Sequence, residues 1–180
     1  NTAAHEPRLD SLGEDFTRIL AEGFTPDDSF RLWKRVNGKA GRVLYIGDNA
    51  GEVLFDVPLI RIFRGLGWDV VYVVKDRPII NDATRADVTG TQIEVLTEVM
   101  TSGAWAHGVP RSLVSREFMD AVVSSDFVVS KGQANIETFP EIQQETGVSC
   151  FYITRAKCPN IARALRVATG ANVVMLRLGS

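Results

Sequence analysis

Apolar residues gather in short unbroken runs separated by longer mixed stretches. Val43–Ile46 (VLYI), Val70–Val74 (VVYVV), Phe127–Val129 and Cys150–Ile153 show no alternation with polar residues. Such β-branched and aromatic runs predict strands buried on both faces. Ile93–Leu96 and Val173–Leu176 predict two more strands, the first the weaker. Between the runs the spacing turns helical. Gly51 to about Leu66 carries Val53, Leu54, Val57, Ile60, Ile62 and Phe63 on one broad face, with a kink or break expected at Pro58. Leu113–Val123, Ile136–Glu145 and Ile161–Val167 predict further helices. Ahead of the first strand, helical spacing runs from Asp10 to about Ala21 and from about Pro26 to Val36, where Asn37-Gly38 ends it.

Alternating strands and helices predict an α/β fold, a three-layer Rossmann-like sandwich around a mostly parallel sheet. A short helical segment (residues 1–40) is expected to precede an α/β domain (residues 41–180). Such sheets take ligands beyond the carboxyl ends of their strands, where strand order reverses. The residues at those ends are therefore the candidates for chemistry.

Gly47-Asp48-Asn49-Ala50-Gly51-Glu52 follows the first strand. Asn49 and Glu52 have the spacing of a capping box, and Asp48 would suit the positive end of a helix dipole. The alternative is a metal site. A dinucleotide fingerprint fits badly, because it wants glycine where Asp48 stands. After the second strand, Lys75-Asp76-Arg77-Pro78 leads to Asn81-Asp82-Ala83-Thr84. Asp82 is either a cap or a third ligand. Two carboxylates and an amide oxygen would make a hard, near-neutral set for a divalent cation, with positions left for water and a substrate oxygen. Lys131 ends the strand at 127–129 and precedes Gly132. It is either a solvated lysine or a fixed charge for phosphate, to which backbone N–H groups at a helix starting near Gly51 would add. Arg155 and Lys157 follow the next strand and offer the same chemistry. Glu52, Asn81, Gly132 and Asn135 lie in these loops and complete the candidate substrate-binding set.

Composition narrows the partners. The 180 residues carry a net charge of −2, with 45% hydrophobic and 23% charged residues. That is ordinary for a globular domain, and no basic arm or stripe invites nucleic acid. Two cysteines without a CxxC pair and two histidines make poor zinc ligands and fit free thiols in a reducing compartment. No apolar stretch reaches the roughly 20 residues that span a bilayer, and no signal peptide is visible. The expected location is the cytoplasm, without membrane contact, and the assembly state is left open. His107 is a lone loop histidine, and Ser102 and Ser130 have no triad partners nearby in sequence. Trp33, Trp68 and Trp105 are expected to be core or cover residues.

Four motifs together resemble the metal-dependent damage-control phosphatases, formerly domain of unknown function 89, in their compact prokaryotic branch. They are Asp48-Asn49-Ala50-Gly51-Glu52 with Phe55-Asp56, Lys75 to Thr84, Ser130 to Thr138, and Arg155-Ala156-Lys157-Cys158-Pro159. The resemblance covers about residues 41–178. It implies a metal at Asp48, Asn49 and Asp82, drawn from magnesium, manganese, cobalt or nickel. It also implies a phosphate-contacting Lys131 with Asn135 nearby, and small phosphorylated metabolites as substrates, including sugar phosphates and phosphopantetheine-like compounds. The expected reaction is phosphate monoester hydrolysis by metal-activated water or by Asp48, with Glu52 or Asp56 handling protons. An S-adenosylmethionine-dependent carboxyl methyltransferase and a non-catalytic binder of phosphometabolites or nucleotides are the alternatives. The chain departs from the family in its short helical region before residue 41, which lacks the cysteines often found there.

Overall fold

The computed structural model describes residue 17 and residues 21–179. The helix expected over Asp10–Ala21 therefore falls almost wholly outside the described residues. Helix α1 (Ser29–Val36) leads to strand β1 (Arg42–Ile46), a 3₁₀ turn (Glu52–Asp56), α2 (Val57–Gly65) and β2 (Asp69–Val74). Next come α3 (Arg85–Val88), α4 (Gln92–Leu96) and β3 (Glu98–Thr101). The remaining elements are α5 (Arg116–Val123), β4 (Phe127–Lys131), α6 (Gln133–Thr146), β5 (Cys150–Arg155), α7 (Pro159–Leu165) and β6 (Asn172–Arg177).

The six strands form one sheet in the order β3-β2-β1-β4-β5-β6. All pair in parallel except β6, which runs antiparallel to β5. The unbroken apolar runs follow from this layering, because successive side chains enter opposite faces and both faces are covered. Val43 and Tyr45 of β1 join Val70 and Tyr72 of β2 beneath Ile60 and Phe63 of α2. Leu44, Ile46, Val71 and Val73 point the other way, to Phe118 of α5 and to Phe139 and Ile142 of α6. Trp68 is buried edge-on against Phe127, whereas Trp33 and Trp105 are exposed. Cys150 is buried, Cys158 is partly exposed, and both are free thiols.

Two expected elements differ. The helix from Gly51 to Leu66 is broken into the 3₁₀ turn and α2. Pro58 lies in the first turn of α2, where its missing N–H has no intrahelical partner to lose. Ile93–Leu96 is helical, not extended: the Thr91 side chain caps α4 by accepting from the Ile93 N–H. Only Ile93 of that helix is buried. The third strand is instead Glu98–Thr101, an edge strand whose partial exposure explains its weak apolar signal.

Strand order reverses between β1 and β4: the chain leaves β1 for β2 and β3 on one side, then returns to β4 on the other. In sheets of this kind the carboxyl ends of the strands at such a reversal are the expected place for a ligand.

Candidate functional site

At the end of β1, Gly47 donates its N–H to the Val73 carbonyl at 3.0 Å. A Cβ on Gly47 would lie 2.5 Å from the Tyr72 hydroxyl, so glycine is needed for the approach. The following residues pair with the second loop. Asn49 faces Asp82 in an isolated antiparallel bridge. Ala50 donates its N–H to the Asn81 carbonyl at 2.8 Å, and Ala83 donates to the Asp48 carbonyl at 2.8 Å. Lys75 in turn donates its N–H to Ala83 at 2.8 Å. This backbone ladder brings Asp48, Asn49 and Asp82 together.

Gly132 closes the site from the β4 side. Its φ is 88°, and a Cβ there would lie 2.2 Å from the Asp48 carboxylate. Asn135 joins the two strand ends, donating through Nδ2 to the Lys131 carbonyl at 2.6 Å and the Gly47 carbonyl at 3.2 Å. Its Oδ1 is buried without a protein partner, as is Ser130 Oγ.

Charged groups converge around this frame. Asn49 Nδ2 donates to Asp48 Oδ2 at 3.2 Å and to Glu52 Oε2 at 3.1 Å. Lys131 Nζ lies 3.0 Å from Glu52 Oε1 and 2.6 Å from Asp56 Oδ1. Asp56 is only 2% exposed, and its Oδ2 accepts from the Tyr72 hydroxyl at 2.6 Å. Lys75, 5% exposed, pairs with Asp82 Oδ2 at 3.6 Å and donates to the Gly108 carbonyl.

The electrostatics follow. Burial, then the carboxylates of Glu52 and Asp82, push the Asp48 carboxyl up to about 6 despite Lys157 and Lys131. Burial opposes charge on Lys131, but Asp56 and Glu52 outweigh it and raise the ammonium's pKa. Burial likewise works against the Glu52 carboxylate, yet Lys131 and Asn49 hold its pKa below the ordinary value. Lys75 is shifted down by burial, against the pull of Asp82.

The structure thus gathers Asp48, Asn49, Glu52, Asn81, Asp82, Lys131, Gly132 and Asn135, with Lys157 close enough to act on Asp48 and Glu52. Three expectations change. No α-helix begins at Gly51, because a 3₁₀ turn starts there and the α-helix only at Val57. Glu52 is no capping residue, since its carboxylate goes to Lys131 and Asn49. Arg155 stands apart, 3.6 Å from Glu22 beside a separate concavity lined by Thr25 and Gly170. Sequence reasoning did not foresee the pairing of Lys75 with Asp82 or of Asp56 with Lys131. A signal for Lys75 was available: it directly extends the Val70–Val74 run, where burial continues.

Among the described residues no three His, Cys, Asp or Glu side chains gather as a metal-binding group. The candidate set of Asp48, Asn49 and Asp82 depends on one amide oxygen. It fits a hard dication: the donors are oxygens, and the bonds of Asn49 through Nδ2 leave Oδ1 unused. Burial first, and then the Glu52 and Asp82 carboxylates, disfavour charge on Asp48, and a cation bound there would favour it.

Residues 2–173 match the profile of the damage-control phosphatase ARMT1-like domain. The chain belongs to this family. A protein of Pyrococcus horikoshii named as a damage-control phosphatase is 41% identical over 167 residues, covering 92% of this chain and 57% of the relative. An Archaeoglobus fulgidus protein of the same name is 31% identical over 154 residues, covering 85% of this chain and 51% of the relative. The crystal structure of a DUF89 family protein from P. horikoshii superposes with a TM-score of 0.82 at 40% identity, over 92% of this chain and 57% of that one. The chain therefore spans little more than half the length of these relatives.

Proposed function

We propose that the domain hydrolyses phosphate monoesters of small metabolites, using a divalent cation held by Asp48, Asn49 and Asp82. The observation that carries this reading is the Asn49–Asp82 bridge, which brings Asp48, Asn49 and Asp82 together, with Lys131 close enough to act on Asp48. The names of the relatives support phosphatase chemistry. When bound, the cation supplies Lewis-acid polarisation of a phosphoryl oxygen. Lys131 and Lys157 provide positive charge for the other phosphoryl oxygens. Gly132 leaves room for Asp48, and Asn135 holds the β1 and β4 ends in register through its two carbonyl contacts. A water oxygen bonds to phosphorus as the ester P–O bond breaks, giving an alcohol and inorganic phosphate.

The all-oxygen donor set suits Mg²⁺ and Mn²⁺, and Co²⁺ and Ni²⁺ are the further candidates. The test is a phosphate-release screen over sugar phosphates and phosphopantetheine derivatives with each of the four ions. Release that depends on the cation and stops with EDTA is expected. No release with any ion, or release indifferent to EDTA, overturns the reading.

A further inference from the structure

We propose that the Glu52 carboxylate fills the position of the substrate's phosphoryl group and must leave Lys131 when an anion binds. The inference rests on reading Lys131 as the anion-binding cation. Glu52 uses both oxygens on groups at the ends of β1 and β4: Oε1 reaches Lys131 Nζ at 3.0 Å and Oε2 accepts from Asn49 Nδ2 at 3.1 Å. A carboxylate bridging an ammonium and an amide N–H has the charge and the two-oxygen span of a bound phosphoryl edge.

The two acids on Lys131 are not equivalent. The Asp56 side chain is 2% exposed and fixed from behind by Tyr72, whereas the Glu52 side chain is 41% exposed. Releasing Asp56 would strand a buried charge. Glu52 can pass into water at little cost. Tyr72 is itself stacked on Tyr45 with ring centroids 5.3 Å apart, and its hydroxyl occupies the space that Gly47 leaves. The incoming anion therefore replaces Glu52 and not Asp56, and one negative group exchanges for another at Lys131.

Inorganic phosphate is the probe, titrated calorimetrically into the Mg²⁺-loaded chain. Glu52→Gln removes the charge and the strong contact, while Glu52→Asp keeps the charge but shortens the reach. Both should bind phosphate about fivefold more tightly than the unaltered protein, the scale of one partly exposed ion pair. Wild-type affinity in Glu52→Asp with a gain only in Glu52→Gln would mean general repulsion and overturn the proposal. So would unchanged or weaker binding in Glu52→Gln, or no phosphate binding by any of the three. Mg²⁺ titrated alone should bind Glu52→Asp as it binds the unaltered protein, since both keep the charge that acts on Asp48; a loss in Glu52→Asp would make Glu52 a metal donor and also defeat the idea. Phosphate binding with the expected variant pattern but no ester hydrolysis would sink the proposed activity alone.

Discussion

The carboxylate of Asp48 packs directly on the backbone of Gly132, so the exits of β1 and β4 touch across the point where strand order reverses. Gly132 has φ 88° and ψ 159°, a region open in practice only to glycine. Gly132→Ala should cost about 1–3 kcal/mol from backbone strain. Its methyl group would also displace the Asp48 carboxylate. Divalent-cation affinity should fall by at least about tenfold, the scale of losing a supporting contact. Calorimetric melting and cation titration check both effects; unchanged cation affinity would separate Asp48 from the metal site.

Much of this arrangement was legible because buried parallel strands write themselves as apolar runs, and their loops then follow by position. Val43–Ile46 and Val70–Val74 announced β1 and β2, and the polar residues after them include those that the fold brings together as the candidate site. Edge strand Glu98–Thr101 was hidden because partial exposure removes the apolar pattern, and the Thr91 cap turned the more apolar segment before it into a helix. The ion pairs of Lys75 and Asp56 were hidden for another reason. Each joins residues on different elements, and only the register of the folded sheet brings them together.

Lys75→Met keeps the aliphatic stem and removes the charge that faces Asp82. Breaking a buried pair in this way should destabilise the cation-free protein by about 3 kcal/mol. Mg²⁺ should restore part of that loss and stabilise the variant more than the unaltered chain. Thermal melts with and without Mg²⁺ provide the comparison. Equal stabilisation of both proteins would argue that Asp82 is not a donor.

Protonation of Asp48 sets a pH dependence. Its pKa in the cation-free fold is about 6, above the ordinary value of 3.8, so the folded state retains a proton that the unfolded chain releases. The contribution of this group to stability is therefore present below the ordinary value and is lost as pH rises through about 6. Cation binding must displace the same proton. Affinity should climb about tenfold per pH unit up to that value and then level off, as titrations across the range would reveal.

Ile80 is a β-branched residue at φ 47°, and its side chain is 78% exposed. It sits within the turn closed by the Asp82 N–H bond to the Ile79 carbonyl at 3.0 Å. Ile80→Asn gives up little packing and suits the left-handed backbone, so it should stabilise the chain by about 1 kcal/mol. Urea denaturation gives the measurement, and a neutral or destabilised variant would show that Ile80 has packing value in solution.

The strand order also distributes charge along the growing chain. Asp48, Glu52, Asp56 and Asp82 are all made before β4, whereas Lys131 and Lys157 are made after the acids they face. Of the cations that face these acids, Lys75 is the one already made before β4. Arrival of β4 beside β1 fills the middle of the sheet and delivers the missing ammonium in the same event.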